Sequence, residues 1–101
     1  MSLTQKQIQY LKEKAHSLSP VVTIGQKGIT ESLIKELDSS IENHELLKVK
    51  IQGGDRDSRT AAAEELSRAT SSETIQIVGN VITLFRQKKK KDSKFSLPKD
   101  K

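Results

Sequence analysis

Residues 22–30 read Val-Thr-Ile-Gly-Gln-Lys-Gly-Ile-Thr, and the reading of this stretch decides the fold. Val21 to Ile24 is a short β-branched run that suits a buried strand. Gly25 and Gly28 end the run, and Thr30 is placed to cap a helix with Leu33, Ile34, Leu37 and Ile41 on one face. The chain thus passes from strand to helix through a tight turn. Two of its five glycines stand in that turn, around a lysine. A turn needs one residue that tolerates positive φ, so the second glycine implies a close approach to the backbone.

Working outward, Ile8, Leu11, Ala15 and Leu18 recur at helical spacing. They predict a helix from an N-cap at Thr4 to Leu18, stopped by Pro20. On the other side, Leu47, Val49 and Ile51 alternate with Lys48 and Lys50, the pattern of a half-buried strand over 46–51. Gly53-Gly54 breaks it, and Asp55 or Asp57 starts a third helix through Ala61-Ala62-Ala63, Leu66 and Ala69. Thr74–Val78 and Val81–Phe85 flank Gly79-Asn80, a hairpin signal. The order α-β-α-β-α-β-β predicts an α/β chain of the α+β two-layer type, a mixed four-stranded sheet with helices packed on it. Residues 1–86 form one domain on this reading, and 87–101 a basic tail expected to be disordered.

Several function classes are excluded by composition. Without cysteine there is no disulfide and no thiolate metal site. No apolar stretch approaches the ~20 residues of a membrane span, and the N-terminus lacks a signal-peptide layout, so a cytoplasmic protein without membrane contact is expected. His16 and His44 are the only histidines and lie far apart, without a spaced carboxylate partner. No metal or other cofactor is therefore expected. His44 adjoins Glu45, but a histidine at a helix end ordinarily serves the last carbonyls, so no enzyme is expected either.

The net charge of +5 is unevenly spread. Residues 86–101 hold eight basic and two acidic side chains, which leaves the body at −1. A binding face on that body must come from segregation of charge. Lys6, Tyr10 and Lys14 form a stripe on the first helix, away from its apolar face. The stripe is either a contact surface or a tyrosine at the core edge between solvated lysines. Lys48 and Lys50 share one side of a strand, where lysine also serves solubility. The second helix carries Glu31, Glu36, Asp38, Glu42 and Glu45 against Lys35 alone. Lys88, Lys89, Lys90 and Lys91 attract any polyanion without sequence choice.

Gly25-Gln26-Lys27-Gly28, between a strand and a helix N-terminus, suits an anion: free N–H groups, bare backbone and one cation. The P-loop pattern is missing, since Ile29-Thr30 follows Gly28, and the dinucleotide fingerprint lacks its third glycine. KH domains hold an RNA backbone with a G-x-x-G loop that opens a helix, although glycine also serves such turns for steric reasons alone. Aromatic residues make up only 3%, too few to stack several bases. Recognition should rest on phosphates and shape, favouring folded RNA.

Four ordered blocks carry a resemblance. They are Ala15-His16-x-Leu18-x-Pro20-Val21-Val22, Ile24-Gly25-Gln26-Lys27-Gly28, His44 to Lys50, and Val78-Gly79-Asn80-Val81-Ile82-x-Leu84-Phe85-Arg86. Together, over about residues 3 to 86, the chain resembles the CRM domain family, whose stand-alone bacterial members are the YhbY-like proteins. The resemblance implies an RNA-binding domain with a KH-like G-x-x-G loop and a fold similar to the C-terminal domain of translation initiation factor three. Its bacterial members are associated with maturation of the large ribosomal subunit, and its plant relatives with intron splicing. Large-subunit ribosomal RNA or a precursor particle is thus the implied partner, bound by a monomer. Two departures stand out: Gln26 replaces the usual lysine after the first glycine, with Lys27 following, and Phe85 replaces a tyrosine.

The expected RNA-binding residues are Gly25, Gln26, Lys27 and Gly28, flanked by Lys6, Tyr10 and Lys14, with Lys48, Lys50, Arg86 and Lys88–Lys91. The competing reading is a protein-interaction module on ribosomal particles whose lysine tail gives only non-specific RNA affinity. Such a module should show an exposed aromatic or apolar patch, yet the aromatics are only Tyr10, Phe85 and Phe95, the last in a possible docking segment Phe95-Ser96-Leu97-Pro98.

Overall fold

Three polar side chains start the three helices. The computed structural model describes residues 3–87. Thr4 opens α1 (Gln5–Ala15) with a capping box: its hydroxyl accepts from the Gln7 N–H at 3.1 Å, and Gln7 Oε1 accepts from the Thr4 N–H at 3.0 Å. The Thr30 hydroxyl opens α2 (Glu31–His44) by accepting from the Leu33 N–H at 3.1 Å. Asp55 opens α3 (Arg56–Thr70) by accepting from the Ser58 N–H at 2.8 Å. That hydrogen bond holds the Asp55 carboxyl below its ordinary pKa of 3.8. The first helix stops at Ala15, short of the predicted Leu18. There the Leu18 N–H donates to the Ala15 carbonyl at 2.9 Å, turning the chain toward Pro20 and leaving Leu18 on the surface.

The strands are β1 (Val22–Ile24), β2 (Leu46–Ile51), β3 (Glu73–Val78) and β4 (Val81–Phe85). They lie in the order β1-β2-β4-β3, with β1 parallel to β2 and the other pairs antiparallel, so the sheet is mixed as expected. Gly79-Asn80 joins β3 to β4 with positive φ at Gly79 alone, the pattern of a type II′ turn.

Alternation along β2 divides the core. Leu47, Val49 and Ile51, with Val22, Ile24, Ile82 and Leu84, are buried under Leu37 and Ile41 of α2 and Ala63 and Leu66 of α3. Leu46 points the other way, joining Phe85, Ile75, Leu11 and Ala15 beneath α1. Ile75 reaches that face through a β-bulge between Thr74 and Gln76, which inserts one extra residue into β3. The sheet and the α2–α3 layer are the two layers expected. A partial third comes from α1, which covers only the end where β2 begins.

Arg86 locks that end from the opposite side. Its N–H donates to the Glu45 carbonyl at 2.8 Å, where Glu45 ends α2 at φ 65°. Its guanidinium donates to Asp38 Oδ1 at 2.7 Å, to Glu42 Oε2 at 2.9 Å and to the Thr70 carbonyl at 2.7 Å. One side chain thereby ties β4 to both α2 and α3.

Arg86→Ala should cost about 2 kcal/mol, since charge-assisted bonds are lost but both carboxylates stay largely solvated. Thermal unfolding followed by circular dichroism should show a midpoint ~10 °C lower. An unchanged midpoint would show that the clamp contributes nothing. Asp55 acts through its lowered pKa, so its contribution is present above about pH 4 and is lost as pH falls through the folded value. Asp55→Ala should lower the urea midpoint more at pH 7 than at pH 2; an equal loss at both would contradict the cap's ionic character.

Candidate nucleic-acid interface

Parallel strands finish at the same end of a sheet, so the turns that follow them become neighbours. Ile24 pairs with Ile51, and the Gln52 N–H donates to the Ile24 carbonyl at 3.0 Å. The turn after β1 therefore lies beside the turn after β2. The β3–β4 turn joins them, because the Ile51 N–H donates to the Asn80 carbonyl at 2.8 Å. Arg59 ties the group together, donating to the Gly54 carbonyl at 2.9 Å and to the Gly79 carbonyl at 3.2 Å. All five glycines of the chain thus gather at one end of the sheet.

Within the first turn the Gly28 N–H donates to the Gly25 carbonyl at 3.0 Å. Gly28 has φ 73°, whereas neither Gln26 nor Lys27 has positive φ. This is the signature of a type I turn with glycine at its last position. The two glycines have different reasons. Gly28 is required by its backbone conformation. Gly25 is not, and a Cβ there would meet only Gln52 Oε1 at 3.8 Å, an ordinary contact. Its backbone is bare and exposed.

Half-buried Ile29 packs against the core and anchors the turn, while Gln26 and Lys27 project into solvent. Lys27 forms no ion pair with any described residue. The helix end behind the turn is a poorer anion site than the sequence implied. Thr30 already takes the Leu33 N–H, and Glu31 adds negative charge to the first turn of α2. The turn's own backbone and Lys27 are what the loop offers.

From this end a basic strip runs onto the sheet face opposite α2 and α3. Lys50 is exposed beside Thr23 and Val81, and half-buried Lys48 sits beside Thr83. Leu46 and Ile51 are about 17 Å apart at ~3.3 Å per residue, and α1 covers only the Leu46 end. The two lysines occupy the open span between.

The other expected residues lie elsewhere. Lys6, Tyr10 and Lys14 ride on α1, toward the far end of that face. Tyr10 is half-buried at the edge of the Leu11 cluster, not outward, and Lys14 Nζ lies 5.4 Å from its ring centroid. Arg86 was expected to meet RNA; its guanidinium is engaged by Asp38, Glu42 and the Thr70 carbonyl on the opposite side. Lys88, Lys89, Lys90 and Lys91, and the whole tail expected to be disordered, lie outside the described residues. Sequence reasoning missed the Gly53-Gly54 turn and Arg59 as neighbours of the first loop. Both turns follow parallel strands, and that was the available signal.

Glycine turns gathered at the end of a mixed sheet, with a projecting cation in the first and a basic strip leading away, define a small α+β domain that presents bare backbone. Residues 3–86 match the CRS1 / YhbY (CRM) domain, and the chain belongs to that family. It is 36% identical to the "RNA-binding protein" of Haemophilus influenzae over 97% of each chain. It is 33% identical to the "Probable RNA-binding protein YqeI" of Bacillus subtilis, over 86% of this chain and 91% of that one. The solution structure of the hypothetical protein SAV1595 from Staphylococcus aureus superposes with a TM-score of 0.84 at 40% identity, covering 96% of this chain and all of that one.

The two loop glycines should separate in a stability measurement. Gly28→Ala forces a side chain into left-handed geometry and should cost about 1 kcal/mol in urea unfolding. Gly25→Ala should cost nothing or stabilise slightly. Equal losses would mean that both glycines are demanded by the fold.

Proposed function

We propose that this chain is a non-enzymatic RNA-binding protein that holds the backbone of folded RNA with the Gly25–Gly28 turn and the Lys48–Lys50 strip. The observation that carries the reading is Gly25, a bare backbone position that the fold itself does not require, next to an exposed Lys27 that makes no ion pair with a described residue. The charge pattern supports it: Lys27, Lys48 and Lys50 lie at the glycine end and on the open face, while Asp38 and Glu42 of α2 are drawn around Arg86 on the far side. Names of the family relatives point to the same ligand class. No helix among the described residues is long and apolar enough to cross a membrane.

Within that reading, the RNA is that of the large ribosomal subunit or its precursors, and the protein acts as a cytoplasmic monomer assisting assembly. The family to which the chain belongs supports this assignment. Few aromatic rings favour recognition through phosphates and shape. The lysine-rich tail adds attraction that is indifferent to sequence.

Salt titration of a folded large-subunit RNA fragment tests the proposal. Lys27→Ala and Lys50→Ala should each reduce the slope of log affinity against log salt by roughly 0.7–1. Gly25→Ala should weaken binding without loss of stability. Slopes and affinities equal to the parent chain in all three variants would contradict the interface.

A further inference from the structure

The open sheet face carries more than cations. Between the end of α1 and the strands lies a cavity of about 240 Å³, lined by His16, Pro20, Lys48, Gln76, Val78 and Val81 among others. It is smaller than the ~300–1,000 Å³ of sites for drug-sized ligands, a size that suits one flat ring system. We propose that it receives a single unpaired base of the bound RNA, a proposal that rests on the RNA-binding reading above.

Each part of the lining matches that occupant. Val78 is 61% exposed, and with Val81 it gives the cavity an apolar floor. His16 and Pro20 form the wall at the end of α1, and a histidine ring is a surface on which unpaired bases stack. Gln76 supplies both a donor and an acceptor for a base edge. Among the described residues no Asp or Glu lines the cavity. Lys48 is part of it and Lys50 is two residues along the same strand face, placed for the phosphates on either side of the base.

Charge separates this cavity from the cleft beside α2, and the pairing of a valine floor with a histidine wall separates it from the clefts beside Arg59 and Lys6. The cleft beside α2 sets Asp38 and Glu42 against Lys35 and offers RNA no net positive charge. A protein's apolar side chain would fill the valine floor but would leave the two lysines without a role. One unpaired base held beside a backbone clamp also reconciles a preference for folded RNA with a chain of few aromatics. The base would be a bulged nucleotide in an otherwise paired hairpin.

The test uses the full chain and two hairpin RNAs of equal length, one fully paired and one with a single bulged uridine. The bulged hairpin should bind roughly tenfold tighter, the scale of one stacked base. With 4-thiouridine at the bulge, photocrosslinks should map to residues 16–20 or 76–81. Val78→Asn, neutral and on an exposed side chain, should cut the preference by roughly threefold or more, with binding of the paired hairpin unchanged. Equal binding of both hairpins, or crosslinks confined to the Gly25–Gly28 turn, overturns the base pocket and leaves the RNA-binding reading standing. A preference that survives Val78→Asn also overturns it and gives the valine floor to a protein partner. Failure to bind either hairpin overturns both.

Discussion

Alternation of side chains along β2 is the constraint on which the rest depends. Leu47, Val49 and Ile51 must lie under α2 and α3, so Lys48 and Lys50 must emerge on the other face. Leu46 also emerges there, and α1 exists to cover it, together with Phe85 and Ile75. An 11-residue helix is about 16 Å long, enough to cross one end of a four-stranded sheet and no more. The lysines are therefore left open by the same packing that buries their neighbours. A one-residue slip of β2 would bury both charges and expose the core.

The parallel pairing of β1 with β2 adds the second element of the site. It brings two strand-to-helix turns side by side, and the β4 register brings the hairpin turn to join them. Glycine is demanded there by conformation at Gly28 and tolerated without demand at Gly25. Electrostatics follows the same division. A body of charge −1 still presents a basic strip, because Lys48 and Lys50 emerge on the open face while Asp38 and Glu42 of α2 hold Arg86 on the other.

Much of this was legible in the sequence because it rests on local rules. Thr4 and Thr30 as caps, the Gly79-Asn80 hairpin and the β2 alternation all stand where spacing placed them. Long-range features were not legible. Nothing around Thr74–Gln76 marks a bulge, since Ile75 fits an ordinary alternating strand, and only the helix above it shows why it is buried. Arg86 looked like one more tail cation; its partners lie 44 and 48 residues away and no local pattern joins them. Tyr10 sits at a helix-face boundary, where periodicity alone does not separate a core edge from a contact surface. The neighbourhood of the loop, with Gly53-Gly54 and Arg59, required the strand order to be known.

The central claim is that the nearly neutral body, and not the tail, recognises RNA. Its most direct test is a fluorescence-anisotropy titration of residues 1–87 against the full chain, on a folded large-subunit RNA fragment and an unstructured homopolymer near physiological salt. The expected result is a loss of only a few-fold on removing the tail, with the preference for folded RNA intact. Loss of measurable binding, or equal affinity for the homopolymer, would contradict the claim and leave the lysine tail as the RNA contact.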